Sequence, residues 1–191
     1  CDHDDTLEPD ALYEITKAIN EKDAPDVLYT DEDKVSMDGK HYFDPNFKPD
    51  YNLFRLRENN YICHIFVVRK SLTDETGMLR SEFDGAQDFD FILRCCEKAK
   101  KITHIPKVLY HWRCHMDSTA ADPSSKAYAY EAGRKAIREH YQRMGIDAKV
   151  DMTERPGWYR SHIKVQGNPM VSIIIPNKDH TDDLELCLFS M

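Results

Sequence analysis

The apolar positions of this chain change period several times, and each change marks an element. Pro9 suits the first turn of a helix, and Leu12, Ile15 and Ile19 continue along one face of it. Val27-Leu28-Tyr29-Thr30 is a short, nearly unbroken run that predicts a buried strand ending at the acidic Asp31-Glu32-Asp33. Asp38-Gly39, set between Val35-Ser36-Met37 and His41-Tyr42-Phe43, predicts a hairpin. Residues 44–49 read as an irregular loop and 65–68 as a second strand. From Gln87 the period becomes helical, with Phe91, Ile92, Cys95, Cys96 and Ala99 forming an inward stripe. Pro106 precedes a strand over 108–112, and a long helix over 124–144 ends at Gly145, a C-cap glycine.

Beyond Gly145, residues 158–165 alternate as a strand does, and Gly167-Asn168-Pro169 interrupts the pattern. Val171-Ser172-Ile173-Ile174-Ile175 then forms an apolar run typical of a strand buried on both faces. Pro176-Asn177-Lys178-Asp179 turns the chain into a final helix with Thr181 as its expected cap. Strands alternating with helices predict an α/β protein.

Composition narrows the class. The 191 residues are 41% hydrophobic and 31% charged, which fits a globular domain and excludes a disordered chain. No apolar run approaches the roughly 20 residues of a membrane-spanning helix. Net charge is −8, but residues 1–33 carry twelve acids against Lys17 and Lys22, a local −10 that leaves +2 for the rest. Such a field attracts a cation, although a solvated acidic face has the same composition. No basic stripe points to nucleic acid. Six cysteines without a C-x-x-C pair read as small core residues of a reducing, cytoplasmic compartment.

Three segments carry candidate chemistry. Asp2-His3-Asp4-Asp5 sets carboxylates two residues apart, a spacing at which they converge on a hard divalent cation; Asp4, Asp5 or Thr6 could equally cap the helix that follows. Asp88 falls in the first turn of the Gln87 helix, where the helix dipole favours a carboxylate, a role Asp90 could share. Along Tyr110-His111-Trp112-Arg113, alternation sends His111 and Arg113 to one face of a strand and Trp112 to the other.

Taken together, Asp2-His3-Asp4-Asp5, then Gly85-Ala86-Gln87-Asp88-Phe89-Asp90, then Tyr110-His111-Trp112-Arg113 with Ser118-Thr119, resemble the family 2 glycosyltransferases of the GT-A fold. The resemblance implies a mixed sheet flanked by helices and a partial domain, whose nucleotide-binding half would precede Cys1. It implies Mg²⁺ or Mn²⁺ bound through Asp2 and Asp4, with His111 or His115 as a third ligand. Asp88 would be the base that deprotonates the acceptor, although glutamine stands at position 87 where the family commonly has the first acid of Glu-Asp. Arg113 would pair with phosphate oxygens of the donor. The reaction implied is sugar transfer with inversion, from a nucleotide-sugar donor to a saccharide or lipid-linked saccharide, in surface-polysaccharide assembly. Its setting would be the cytoplasm, at the inner face of the membrane in the full-length protein.

Residues around Asn177 and Asp179 resemble the first strand and nucleotide-binding loop of the same family. The expected organisation is therefore 1–150 as the back half of one transferase domain, 151–169 as a connector, and 170–191 as the start of a second domain. Residues 171–175 are further expected to dock on the first unit's sheet, within the chain or swapped into a neighbouring copy. The rival readings are an inactive fragment or binding module of a larger synthase, and a metal-dependent phosphohydrolase.

Overall fold

A computed structural model of the chain describes residues 3–21, 23–114 and 127–191. Asp2, His115, Ser118 and Thr119 lie outside the described residues. The frame is a mixed sheet in which β2 (Val27–Ser36) and β5 (Ile102–Cys114) run parallel along their length. The outer edge of β5 carries β1 (Thr6–Leu7), antiparallel. The far edge of β2 is shared: β4 (Phe66–Val68) pairs with its first residues and β3 (Tyr42–Asn46) with its last, both antiparallel. The predicted Asp38-Gly39 hairpin joins β2 to β3, with Gly39 at φ +72° where a side chain would be strained.

Helices cover both faces. α1 (Ala11–Glu21) lies on one, where Ala11, Ile15 and Ala18 pack with Leu28, Ile105 and Leu109. The expected stripe of Leu12, Ile15 and Ile19 is thus rotated, and Leu12 faces solvent. The small side chains of Ala11 and Ala18 face the sheet instead and permit a close approach. α4 (Gln87–Lys98) and α5 (Ala127–Arg143) cover the other face, where Tyr29, Tyr61, Phe83, Ile92, Leu93 and Ile137 form the main core. Burying each such large side chain contributes about 1.5–3 kcal/mol. Between these elements lie α2 (Leu53–Leu56), α3 (Lys70–Thr76) and a 3-10 turn at Ser81–Phe83.

Two strands outrun their predicted limits. β2 continues through Asp31-Glu32-Asp33 to Ser36, because each acid finds a partner in or beside the sheet: His104 for Asp31, His64 for Glu32, His111 for Asp33. β5 starts at Ile102 and passes Pro106 through a bulge, since Thr30 faces Ile105 whereas Asp31 faces Val108. The extra residues absorb the proline, which has no N–H to give a ladder.

The expected connector 151–169 is also partly structured. β6 (Ala148–Met152) and β7 (Tyr159–Ile163) form an antiparallel hairpin, and Val150 and Tyr159 join the main core. Within the chain, the docking expected of 171–175 does not occur. That stretch forms no strand, Val171 is 75% and Ile174 90% exposed, and α6 (Thr181–Phe189) buries none of its residues. His180, not Thr181, occupies the cap position of α6, and no side chain caps it. Among the described residues, every hydrogen bond and ion pair made within 169–191 stays inside that segment.

Candidate active site

Alternation along β5, shifted by the bulge, sorts the predicted residues between the two faces of the sheet. Leu109 packs against α1, so His111 and Arg113 follow it to that face. Tyr110 and Trp112 point to the opposite face, the one α4 covers.

On the α4 face a cavity of about 440 Å³ is lined by Asp88, His64, Tyr110, Leu7 and Phe91, among others. Asp88 stands in the first turn of α4, where the unpaired backbone N–H groups favour its charge. Its Oδ2 accepts from Asn60 Nδ2 at 2.9 Å. The neighbouring Cys63 thiol is pushed well above its ordinary pKa, first by burial and then by the Asp88 charge. Cys63 therefore stays protonated, and the Asp88 carboxylate faces the cavity. Asp90 is 0% exposed and held by Arg80 and Arg94, with Arg80 Nε and Arg94 Nε each 3.0 Å from Oδ2. Two carboxylates two residues apart thus have separate roles: Asp90 is locked in the core and Asp88 faces the cavity.

The opposite wall is aromatic. The His64 ring stacks on Tyr110, with centroids 4.7 Å apart and planes 9° from parallel. Glu32 Oε2 accepts from the His64 backbone N–H at 2.5 Å and lies 3.3 Å from Nδ1. Burial pushes the Glu32 carboxyl up, but the His64 hydrogen bonds and the Lys48 charge outweigh it and hold it below its usual value. Lys48 in turn donates to the His64 carbonyl at 2.6 Å, and its burial lowers its own pKa. Tyr110 donates through its hydroxyl to Asp5. Sequence reading missed His64, because what makes it part of the site is a ring stack with Tyr110, 46 positions away in the chain.

The acidic opening divides. Asp5 takes the Tyr110 hydroxyl and, at 2.8 Å, the Arg113 N–H, so it fastens the amino-terminal segment to β5. Asp4 is exposed, and among the described residues its carboxylate has no hydrogen-bond or ion-pair partner. Hard carboxylate oxygens suit Mg²⁺ or Mn²⁺, so an uncommitted Asp4 fits such an ion chemically. Among the described residues, however, no three His, Cys, Asp or Glu side chains gather closely enough to hold one. His111 lies between two other acids: Nδ1 is 2.5 Å from Asp33 Oδ1 and Nε2 3.1 Å from Glu8 Oε1. It stands on the α1 face, across the sheet from Asp88.

Arg113 Nε donates to the Asp4 carbonyl at 2.6 Å, and Nη1 to the Ser36 and Met37 carbonyls at 3.2 and 3.0 Å. These bonds tie the amino-terminal segment to the β2–β3 hairpin. Asn177 and Asp179 lie on the exposed stretch before α6 and form no part of the cavity.

No protein-family model matches the chain. It is 43% identical over 193 aligned residues to "Uncharacterized protein y4gI" of Sinorhizobium fredii, covering 100% of this chain and 21% of that protein. It is 39% identical over 188 residues to "O-antigen biosynthesis protein RfbC" of Myxococcus xanthus, covering 98% of this chain and 15% of that protein. Among solved structures, S. aureus TarS 1-349 aligns with a TM-score of 0.44, and its complex with UDP with 0.45. Both alignments are at 17% identity and cover 74% of this chain and 46% of those chains. Among the described residues no helix is long and apolar enough to cross a membrane. From end to end, this α/β chain is similar to segments of two much longer proteins, one of them named for O-antigen biosynthesis.

Proposed function

We propose that this chain is the acceptor-binding half of a family 2, GT-A glycosyltransferase acting in polysaccharide assembly. The observation that carries the proposal is Asp88, a carboxylate at a helix start, hydrogen-bonded by one amide and open to a cavity walled by stacked rings. The similarity to an O-antigen biosynthesis protein supports the pathway class. In this reading the acceptor hydroxyl enters the cavity, and Asp88 takes its proton as that oxygen attacks the anomeric carbon of a nucleotide-sugar. Asn60 fixes the carboxylate's orientation through its single donated bond. One displacement with one base inverts the anomeric centre and needs no second hydrolytic carboxylate.

A divalent cation held through Asp2 and Asp4, with His115 as further ligand, would supply positive charge for the departing nucleoside diphosphate; His111, held by Asp33 and Glu8 on the other face, is left out of this set. Asp5 and Arg113 keep the segment bearing Asp4 against the sheet. Asn177 and Asp179 belong in this reading to the nucleotide-binding loop of a following domain. In this reading the full-length protein works in the cytoplasm, at the inner face of the membrane. Asp88→Asn in the full-length protein tests the reading: turnover is expected to fall by on the order of 10²-fold or more with donor binding retained. Turnover at the wild-type rate would overturn it.

A further inference from the structure

Next to the Asp88 cavity, a second cleft of about 460 Å³ opens between the β2–β3 end of the sheet and the β6–β7 hairpin. Its volume lies in the range of small-molecule sites, roughly 300–1,000 Å³. Both tryptophans of the chain line it: Trp112 from β5 and Trp158 from the turn before β7. Tyr110, His64 and Trp112 form a continuous row, His64 stacking on Tyr110 and standing 6.2 Å from Trp112, so the cleft and the cavity share a wall.

The charges in this cleft are unequally satisfied. Its acids already have partners: Asp44 is paired with Lys34, Asp33 with His111, and Glu32 with His64 and Lys48. Its arginines do not. Among the described residues neither Arg55 nor Arg155 makes an ion pair or a guanidinium hydrogen bond. Each is instead laid on aromatic rings: Arg155 is 4.7 Å from the Trp158 centroid, and Arg55 lies 5.9 Å from Trp158 and 5.6 Å from Tyr61. Cation–π contact leaves the in-plane N–H groups free and limits the side chain's wandering, so two forks are presented at one end of the cleft.

We infer that this cleft binds an anionic saccharide, its acidic group taken by Arg55 and Arg155 and its sugar ring by the exposed Trp112 face. A guanidinium fork pairs with a carboxylate or a phosphate in the same bidentate way, so the shared chemistry is an oxyanion on a sugar. The amide and carboxylate groups at the other end of the cleft accept hydroxyl hydrogen bonds. The inference deepens the transferase reading by naming the charge of its acceptor. It is tested by binding and not by turnover, so the two can fail separately.

Because both tryptophans lie in the cleft, intrinsic fluorescence of the purified 191-residue chain reports its occupancy. Trigalacturonate supplies a carboxylate, glucose 1-phosphate a phosphate, and maltotriose a neutral control. A saturable emission change is expected with at least one anionic probe, weakened by salt as exposed ion pairs are and absent with maltotriose; the probe that binds identifies the anion. Arg55→Gln/Arg155→Gln and Arg155→Glu alter exposed side chains only, and each is expected to lower affinity by about tenfold or more, a loss of about 1.4 kcal/mol. The inference is overturned by silence toward both anionic probes up to about 10 mM. Equal binding of maltotriose, or wild-type affinity in both variants, would overturn it as well.

Discussion

Two stretches of this chain have nearly the same sequence character and opposite fates. Val27-Leu28-Tyr29 and Ile173-Ile174-Ile175 are both unbroken apolar runs that predict a strand buried on two faces. The first lies between β4 and β5 with α1 below and α4 above, and Leu28 is 2% exposed. The second pairs with nothing, and Ile174 is 90% exposed. An apolar run states what a segment requires, and burial depends on whether neighbours exist to supply strand edges and helix faces. Contiguous exposed apolar surface of this kind marks a place where a folded protein meets something else.

The difference can be put to measurement. Leu28→Ala removes side-chain volume between α1 and the sheet, so a loss of about 2–5 kcal/mol is expected in urea denaturation; a loss below 1 kcal/mol would mean that β2 is not the central strand. Glu97→Gln probes a polar counterpart in the body. Arg57 Nε donates to His140 Nε2 at 3.0 Å, so His140 Nδ1 carries the proton and donates to Glu97 Oε1 at 2.7 Å. Burial raises the Glu97 carboxyl, but His140 and Arg143 outweigh it and hold it below the ordinary value. A carboxyl depressed in the folded state contributes stability that is present above its unfolded value and lost as pH falls through the folded one. The variant should cost about 1–3 kcal/mol at neutral pH. It should also lose less stability than wild type as pH drops below about 4.5; matching acid limbs in the two proteins would remove Glu97 from the account.

At the small end, truncation after Gly167 and the substitution Ile174→Asp should each change stability by no more than about 0.5 kcal/mol. Either one causing unfolding or aggregation of the body would show that the tail packs on it after all. These outcomes reverse the expectation drawn from the sequence, in which 171–175 completes the sheet.

Much of the body was legible beforehand because its signals are local. The Asp38-Gly39 hairpin, the helix from Gln87 and the Gly145 stop each rest on a few adjacent residues whose backbone preferences agree with the pattern around them. The site was legible in part. The helix pattern placed Asp88 in a first turn, its role as a base came only from the resemblance, and the separation of His111 and Arg113 from Trp112 follows from alternation. His64, Asn60 and the Arg55–Trp158 contact were not found, because each depends on segments brought together from distant parts of the sequence.

By itself, then, the sequence determined the α/β class, most element positions, the acidic opening and the place of Asp88 in a helix's first turn. These are consequences of residue type and short-range spacing. Only the tertiary structure decided that Asp88 and His111 stand on opposite faces of one sheet, and that Asp90 is locked by Arg80 and Arg94. It also decided that β6 and β7 belong to the core while residues 171–175 do not. The physical reason is common to all of these. Which face a side chain reaches, and whether a strand finds an edge, depends on the bulge at Pro106 and on which elements are present to pair, and neither is a property of the segment concerned.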